Sequence, residues 1–486
     1  MTGHGLILRG GTVMDGSGRS GFHADVAIDD DRIAAVGDLS GTTADTEIDV
    51  TGQVVAPGFI DVHTHDDRML RDAGDMTPKV SQGVTTVVAG NCGISLAPLV
   101  ASERPMEPFD LIGLEHDFRY PTFQALIDEL DRAPAASNAA FLVGHATLRL
   151  GAMDDVLRPA TGPEIETMKG ALDEAMAAGA IGLSTGLEYP PARCCETEEV
   201  VELASRAAAA GGVYATHMRS YASEAKDAFD EAVHIGLKAD IPVIVSHFHC
   251  HEHDNPELAG EALAWFEQSR RQGVRIVADA YPYEASSTSI LPEFVERRTR
   301  VLVTWSKPHP DMGGRYLDEI AEDWHVDALA AARRLAPGGA IYFGRDERNV
   351  ERLMAHPDIL IGSDGIPLAP HPHPRLWGTF PHVLGHYARN LGLTGLEAAI
   401  HRMTGASAEW FDLEGRGRVA VGAWADLVVF DPAAIAARAT YLNPEQPSAG
   451  IGHVFVNGVE VWNRGGHTGA RPGRIVGRGK NGGQRP

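Results

Sequence analysis

The stretch GFIDVHTHD, residues 58–66, begins as an apolar, strand-like run and ends in two histidines, His63 and His65. Side chains two positions apart on a β-strand point to the same face, so both imidazoles can reach one metal ion. Two such histidines alone are also compatible with a polar strand end. Four further ligand-type residues occupy the same kind of place, the polar end of a short β-branched run: Cys92, His217, His247 and Asp364. We therefore predict that the six side chains converge on one site.

The middle of the chain, between about residues 55 and 365, alternates short Val/Ile/Ala-rich runs with Ala- and Glu-rich helical patterns. This alternation is typical of βα units and a parallel sheet. Eight strand candidates follow one another at residues 58–63, 85–90, 139–145, 180–185, 213–217, 243–247, 275–280 and 359–363. Eight is the number for a closed (β/α)₈ barrel, although an open doubly wound sheet gives a similar local pattern.

The strands that carry the ligand-type residues favour the barrel. These residues follow the first, second, fifth, sixth and eighth strand candidates. An open sheet gathers its site at one switch point, whereas a barrel brings the carboxyl ends of all its strands to one mouth. We predict an α/β fold with a TIM-like (β/α)₈ barrel.

The two ends of the chain have a different pattern. Residues 6–15, 23–29, 32–36, 46–50, 425–430 and 450–462 resemble antiparallel strands separated by Gly and Asp turns. We expect a small β-sandwich built from residues 1–55 and 413–472, a metal-dependent barrel at 56–412, and a flexible tail at 473–486. Two connections are long, about 93–138 and about 285–357, and we expect the second to be a lid-like insertion over the site, with a decorative surface loop as the alternative.

The composition of the chain limits which partners and which cellular location we expect for the protein. The 486 residues include 66 Asp and Glu against 42 Lys and Arg, a net charge of -24, which argues against nucleic acid or an anionic membrane as partner. No apolar stretch approaches the roughly 20 residues that cross a bilayer, and the first residues lack a signal peptide's pattern. Four cysteines are too few for a disulfide framework. We expect a cytoplasmic protein and predict no oligomeric state.

The chemistry of the six residues points to metal-assisted hydrolysis. Imidazole and thiolate are ligands that zinc favours, and a catalytic zinc keeps one position open for water. Six candidates exceed what one tetrahedral ion needs. Either two ions share the site, or some of the residues act as a general base or hold the metal ligands in place without contacting the ion. Cys92 is able to bind one ion or bridge two. A carboxylate such as Asp364 beside water is placed to act as general base and then as acid.

Several longer motifs carry a resemblance to a known family. They are PGFIDVHTH at 57–65, GVTTVVAGNCG at 83–93, YATHMR at 214–219, SH at 246–247, GSDG at 362–365, ADLVVFD at 425–431 and FVNG at 455–458. Together they resemble the amidohydrolase superfamily and, within it, the N-acyl-D-amino-acid deacylases, also called D-aminoacylases. The Asn-Cys-Gly element is the specific one, because hydantoinase-like relatives carry a modified lysine on strand four and residues 180–185 contain none.

The resemblance implies a set of roles for particular residues. It implies a tightly held zinc on Cys92, His217 and His247, a weaker second position near His63, His65, Cys92 and Asp364, and Asp364 as the acid/base. The implied substrate is an N-acylated amino acid of D configuration, a small molecule. The implied substrate-binding residues are Tyr189, Tyr281, Ser286 or Ser287, and Arg375.

One position departs from the family pattern. Members with simple D-amino-acid substrates commonly carry a lysine two residues after the strand-six histidine, where this chain has His249. A histidine is shorter and can be neutral near pH 7, so we expect a different arrangement around the substrate carboxylate. Alternative functions are hydrolysis of a cyclic amide, a carbamoyl group or a lactone, and a non-catalytic role in binding or assembly.

Overall fold

The computed structural model describes residues 3–250, 257–296 and 300–477. The strands are β1 His4–Val13, β2 Phe22–Asp29, β3 Arg32–Gly37, β4 Ala44–Asp49, β5 Val54–Pro57, β6 Phe59–Asp61, β7 Val84–Ala89, β8 Leu99–Val100, β9 Arg119–Tyr120, β10 Asn138–Gly144, β11 Gly182–Gly186, β12 Val213–His217, β13 Val243–Val245, β14 Ile276–Ala280, β15 Ala285–Ser289, β16 Arg300–Ser306, β17 Gly338–Phe343, β18 Ile359–Ile361, β19 Leu427–Phe430, β20 Ile451–Val456, β21 Val459–Asn463 and β22 Gly466–His467.

The α-helices are α1 Asp67–Asp72, α2 Thr77–Val80, α3 Phe123–Arg132, α4 His145–Ala152, α5 Gly162–Ala177, α6 Pro190–Arg193, α7 Thr197–Ala209, α8 Ala225–Ala239, α9 Leu258–Arg271, α10 Pro292–Glu296, α11 Leu317–Asp323, α12 Ala328–Leu335, α13 Glu347–Ala355, α14 Arg375–His382, α15 Leu396–Met403 and α16 Gly405–Trp410. Short 3₁₀ turns lie at Phe109–Leu111, Glu115–Asp117 and Pro310–Met312, and a π-helical segment at Val383–Asn390 follows α14 directly.

Eight parallel strands form the predicted barrel. Their order is β6, β7, β10, β11, β12, β13, β14 and β18, and each is parallel to its neighbours. The ring closes just beyond β6 and β18, where Asp364 N donates to His63 O at 2.8 Å and His65 N donates to Gly365 O at 3.1 Å. The prediction of a (β/α)₈ barrel is confirmed, and the backbone of the His-x-His segment itself makes the closing bonds.

The barrel interior is a packed apolar layer rather than a channel. One buried cluster takes side chains from, or directly beside, every barrel strand: Ile60, Val88, Leu142, Ile181, Ala215, Ile244, Val277 and Leu360. Because side chains alternate along a strand, these residues fill the inside while the neighbouring positions pack against the surrounding helices. Polar side chains therefore gather at the carboxyl ends of the strands.

The terminal strands form one nine-stranded sheet. Its order is β22, β21, β20, β19, β5, β1, β2 and β3, with β4 also paired to β1. β5 from the beginning of the chain pairs antiparallel with β19 from near its end. Side chains of both terminal segments, among them Val26, Val55 and Phe455, share a buried cluster. Neither end of the chain forms this core alone, as the sequence predicts.

The long connection after β14 contains a small sheet of its own. β17 is its central strand, with β15 and β16 antiparallel on either side. The helical patterns expected at 315–323 and 326–335 correspond to α11 and α12. These helices share a buried cluster with β16 and β17 that includes Cys92 and Tyr189. The insertion thus packs directly against residues at the mouth of the barrel.

The last described residues lie against the barrel. Gly473 N donates to Ala135 O at 2.8 Å and Val476 N donates to Ala139 O at 2.8 Å, so 473–477 of the expected tail are bound to the region around β10. Residues 478–486 lie outside the described residues. We propose the division into residues 1–55 and 413–472 for the small domain and 56–412 for the barrel with its insertion. No helix in the described parts of the chain is long and apolar enough to span a membrane.

Candidate metal centre

The ligand-type side chains predicted from the sequence meet at the mouth of the barrel. Cys92 Sγ lies 3.3 Å from His63 Nε2 and 3.5 Å from His247 Nε2. Asp364 Oδ1 lies 3.2 Å from His65 Nε2 and 3.6 Å from His63 Nε2. These contacts define two groups of possible ligands that share His63, and within each group the ligand atoms lie within 4.8 Å of one another.

His217 stands beside these two groups. Its ring centroid is 4.6 Å from that of His247, and its Nε2 is 3.0 Å from Glu188 Oε2. Its Nδ1 is buried and has no hydrogen-bond partner among the residues that the structure describes. The sequence resemblance joins His217 to Cys92 and His247, whereas the group of closely spaced ligand atoms around Cys92 contains His63 and His247.

Three of the six residues have left-handed backbone conformations. The φ angles are 53° at Cys92, 34° at His247 and 50° at Asp364. Non-glycine residues adopt positive φ at a cost, and such strain concentrates at functional sites. In each case the left-handed residue lies directly after a barrel strand or a few residues beyond it, at the point where the chain leaves the barrel.

Glycines make room for the turn that carries Cys92. A Cβ on Gly186 would lie 2.2 Å from Cys92 O, and a Cβ on Gly144 would lie 2.4 Å from Gly93 O. Both glycines end their strands, β11 and β10. The turn at residues 91–93 therefore lies against the bare backbone of two neighbouring strands, which directs the Cys92 side chain across the mouth.

Electrostatics favour a thiolate at Cys92. Burial alone raises the pKa of its thiol, but His63, His217 and His247 together hold this pKa well below the ordinary value. Burial likewise opposes protonation of His65, yet Asp364 and Cys92 raise the pKa of His65 to about 9. The Cys92 thiolate and the Asp364 carboxylate thus give the mouth of the barrel a negative potential, which favours binding of a cation.

Asp364 is a buried carboxylate held by cations. Burial raises its pKa, but Arg375, His63 and His65 outweigh this effect and hold the pKa well below the ordinary value. Arg375 Nη1 lies 2.9 Å from Asp364 Oδ2. The other oxygen, Oδ1, faces His65 and His63. Asp364 is therefore ionised and fixed in orientation on both sides.

Two carboxylates that support the histidines were not predicted. Asp279, at the end of β14, has Oδ2 at 3.2 Å from His63 Nδ1, while its Oδ1 accepts from His247 N at 2.8 Å. Glu188 holds His217. Carboxylates that contact a metal-binding imidazole fix its tautomer and orientation. The position of Asp279 at a strand end was the available signal, whereas Glu188 follows β11 in a turn and offered none.

A buried cation joins the first and last barrel strands beneath the site. Lys79 Nζ lies 2.8 Å from Asp61 Oδ2, 3.2 Å from Asp66 Oδ2 and 2.9 Å from Ser363 Oγ. Lys79 and both carboxylates are fully buried. An unpaired buried charge is costly, so these groups depend on one another and hold the closure of the barrel in place. Lys79 lies on α2, a helix of only four residues, which is too short to show a sequence pattern that predicts this contact.

A cavity beside the metal groups contains most of the predicted substrate-binding residues. Those on its wall are Tyr189, Tyr281, Ser286, Ser287 and His249, together with His217, His247 and Asp364. The insertion also contributes Thr288, Phe294 and Arg345, so it covers the site. Arg375 is fully buried behind this wall, next to Asp364 and with its guanidinium carbon 4.5 Å from the centroid of the Tyr281 ring. Arg345 was not predicted.

The donor set fits a zinc-type ion. A thiolate with imidazoles matches the ligand preference of zinc, and a carboxylate beside them extends the set. The buried Nδ1 atoms of His65 and His217 lack partners in the described ranges, and His63 presents Nε2 to Cys92 while Asp279 holds its Nδ1. These residues thus have the chemistry and the spacing to hold a metal ion.

Comparison with known proteins gives one consistent result. The model of the Amidohydrolase family matches residues 46–305 and 317–462. A D-aminoacylase of Alcaligenes xylosoxydans xylosoxydans is 49% identical over 474 residues, which are 97% of each chain. A crystal structure of a D-aminoacylase has a TM-score of 0.95 and 48% identity, covering 98% of this chain and 100% of the other. An N-acyl-D-glutamate deacylase of Bordetella bronchiseptica, complexed with zinc and a phosphonate inhibitor that mimics the tetrahedral intermediate, has a TM-score of 0.94 and 42% identity, covering 98% and 100%.

Proposed function

Because this chain belongs to the amidohydrolase family, we propose that it hydrolyses the amide bond of N-acyl-D-amino acids to a carboxylate and a free amino acid. Full-length relatives named for this activity support the proposal. The observation that carries it is the convergence of Cys92, the imidazoles and the ionised Asp364 beside a covered cavity. Such an arrangement suits hydrolysis of a linear amide, and the substrate is a small molecule.

We propose that zinc is the metal and that Cys92, His217 and His247 hold it tightly. A weaker second position would involve His63, His65, Cys92 and Asp364. When bound, zinc supplies a Lewis acid for the amide carbonyl and makes water more acidic. The zinc complex of a 42% identical deacylase supports this choice of metal.

Asp364 moves the proton in this proposal. Its carboxylate accepts a proton from the attacking water and then delivers it to the departing amine nitrogen, so no proton is lost or gained. His65 and Arg375 keep the carboxylate oriented. Asp279 keeps His63 in the tautomer whose Nε2 faces the site. Each residue acts through a contact that lies within 3.2 Å.

The cavity wall would bind the rest of the substrate. Tyr189, Tyr281 and His249 provide aromatic and polar contacts, and Ser286 or Ser287 provides a hydroxyl for the amide or carboxylate. Arg375 is the proposed clamp for the substrate carboxylate. A cytoplasmic location is proposed because Cys92, Cys194, Cys195 and Cys250 form no disulfide within the described residues, which suits a reducing compartment.

The test is Asp364→Ala in zinc-loaded protein, assayed on N-acetyl-D-amino acids, N-acetyl-L-amino acids, cyclic amides, carbamoyl compounds and lactones. We expect the wild type to prefer the N-acetyl-D-amino acids and the variant to lose turnover by at least about 10³-fold while zinc remains bound. Asp230→Ala, an exposed carboxylate on α8, is the matched control. Turnover within tenfold of wild type in Asp364→Ala would contradict the assigned role, and preference for another bond type would contradict the substrate class.

A further inference from the structure

The cavity wall contains a cation, Arg345, that has no counter-charge within the described part of the chain. Arg345 follows β17 and lines the cavity, and its side chain is half-buried. Among the described residues it makes no ion pair, and its one side-chain hydrogen bond runs from Nη1 to Tyr281 Oη at 2.5 Å. Its Nε is buried and meets no hydrogen-bond partner in the part of the chain that the structure describes. A guanidinium that is partly removed from water and unpaired is costly unless an anion joins it.

The other charged groups near the cavity already contact described protein groups, including Arg375, the proposed clamp for the substrate carboxylate, which lies behind the wall rather than on it. Arg375 is fully buried, with Nη1 paired to Asp364 at 2.9 Å and Nη2 donating to Ser287 O at 3.1 Å. The acidic groups on the wall are Asp364 and Glu188, and Glu188 contacts His217 at 3.0 Å. Arg345 is thus the described cation on the cavity wall with unused donors.

The position of Arg345 connects the insertion with the barrel. Its backbone N donates to Glu284 O at 3.3 Å, and its side chain reaches Tyr281, which follows β14. The guanidinium carbon lies 5.2 Å from the centroid of the Tyr281 ring, and that of Arg375 lies 4.5 Å from the same centroid. An anion bound at Arg345 would therefore lie one tyrosine away from the Asp364–Arg375 pair.

We propose that Arg345 is a specificity-determining residue that binds a carboxylate of the substrate. This inference rests on the proposed function, because the ligand class is an N-acyl amino acid. A planar guanidinium with free donors matches a carboxylate in shape and charge. The carboxylate is either the α-carboxylate, which every substrate carries, or the side-chain carboxylate of an acidic amino acid, and the substrate panel distinguishes the two.

The experiment compares kcat/KM of wild type, Arg345→Met and Arg345→Lys on N-acetyl-D-methionine, N-acetyl-D-methioninamide, N-acetyl-D-glutamate and N-acetyl-D-glutamine. Loss of a charged hydrogen bond predicts a decrease of about 10- to 100-fold for Arg345→Met on the carboxylate that Arg345 binds. An α-carboxylate role lowers all three free acids and spares the methioninamide. A side-chain role lowers only the glutamate substrate. Arg345→Lys should restore part of the loss.

Controls make the outcome decisive. Arg348→Met removes an exposed arginine on α13 and should behave as wild type. Zinc content and circular dichroism check that Arg345→Met is folded. Unchanged kinetics in that variant, or an equal loss on methioninamide and free acids, would overturn the proposal.

A binding measurement separates this inference from the proposed reaction. Calorimetry on zinc-loaded protein uses the phosphonate analogues of N-acetyl-D-methionine and N-acetyl-D-glutamate, together with versions in which the α- or the side-chain carboxylate is an amide. Wild type should discriminate at one carboxylate, and Arg345→Met should lose that discrimination. If the wild type hydrolyses none of the substrates, the reaction is wrong, yet the calorimetry still decides the role of Arg345. Equal binding of acids and amides by wild type would refute it.

Discussion

Asp279 offers the sharpest test of how the metal centre is held. One carboxylate serves two ligand-type residues, since Oδ2 contacts His63 Nδ1 at 3.2 Å and Oδ1 accepts from His247 N at 2.8 Å. In Asp279→Asn, Oδ1 can keep the bond to His247 N, but the amide nitrogen then faces His63 Nδ1 with hydrogens of its own. His63 must either rotate away or move its proton from Nδ1 to Nε2. A protonated Nε2, the nitrogen that faces Cys92, has no lone pair left to bind a metal ion.

The magnitude follows from losing one hydrogen bond to a charged group. Such bonds contribute about 1.5–3 kcal/mol, and replacing outer partners of metal ligands lowers metal affinity about 10- to 100-fold. We expect a loss of this size in zinc affinity for Asp279→Asn, and a larger one for Asp279→Ala, which removes both contacts. Zinc competition against a chelator measures it, with Asp230→Asn as the surface control.

The refuting result is specific. If Asp279→Asn keeps wild-type zinc affinity while its urea midpoint also stays unchanged, the carboxylate does not hold the ligands as described. If Asp279→Asn unfolds at a much lower urea concentration than Asp230→Asn, zinc affinity is compared at urea concentrations well below the midpoint of Asp279→Asn. A loss of about 10- to 100-fold is still expected there.

Two further predictions concern the Cys92 turn and a buried ion pair. Gly186→Ala places a methyl group against Cys92 O, so zinc content should fall, whereas Gly170→Ala in α5, whose added Cβ meets nothing within 4 Å, should leave it unchanged; metal analysis of both variants decides this. Glu199 is buried, which raises its pKa, but His145 and a neighbouring arginine lower it from 4.5 to about 2. Because the folded-state pKa lies below the unfolded value, Glu199 stabilises the protein above about pH 4.5, by about 3 kcal/mol, and this contribution disappears as the pH falls toward about 2. Glu199→Gln should therefore lower the urea midpoint at about pH 7, and its difference from wild type should shrink with acidification; a difference that does not change with pH would contradict the assignment.

The barrel was predictable because it is built from a repeated local pattern of strand and helix. Each of the eight strand candidates is a short apolar run, most are followed by a helical pattern, and each contains or overlaps a barrel strand. The small sheet of the insertion was not predicted. β15 has the sequence Ala-Ser-Ser-Thr-Ser and β17 begins with two glycines, so neither shows the alternation of apolar residues that marks a strand.

The residues of the site also divide into those that the sequence predicts and those that it does not. The six ligand-type residues lie at strand ends, where a barrel must bring side chains together, and the structure brings five of them into two ligand groups with His217 beside His247. Arg345 and Glu188 lie in connections, so their place beside the cavity depends on how the insertion and the strand-four turn fold. The ion pair between Arg375 and Asp364 also depends on the tertiary structure. The two residues are eleven positions apart, and no pattern in the sequence predicts their contact.

The pairing of β5 with β19 has a consequence for biosynthesis. β5 leads directly into β6 and the His-x-His segment, yet one of its two hydrogen-bonded neighbours, β19, is synthesised only when most of the polypeptide has been made. Contacts of such sequence separation form late because a long loop must close first. A nascent chain stalled before residue 427 would leave the β5 edge without β19, so completion of translation, rather than metal supply alone, sets when the active fold can mature.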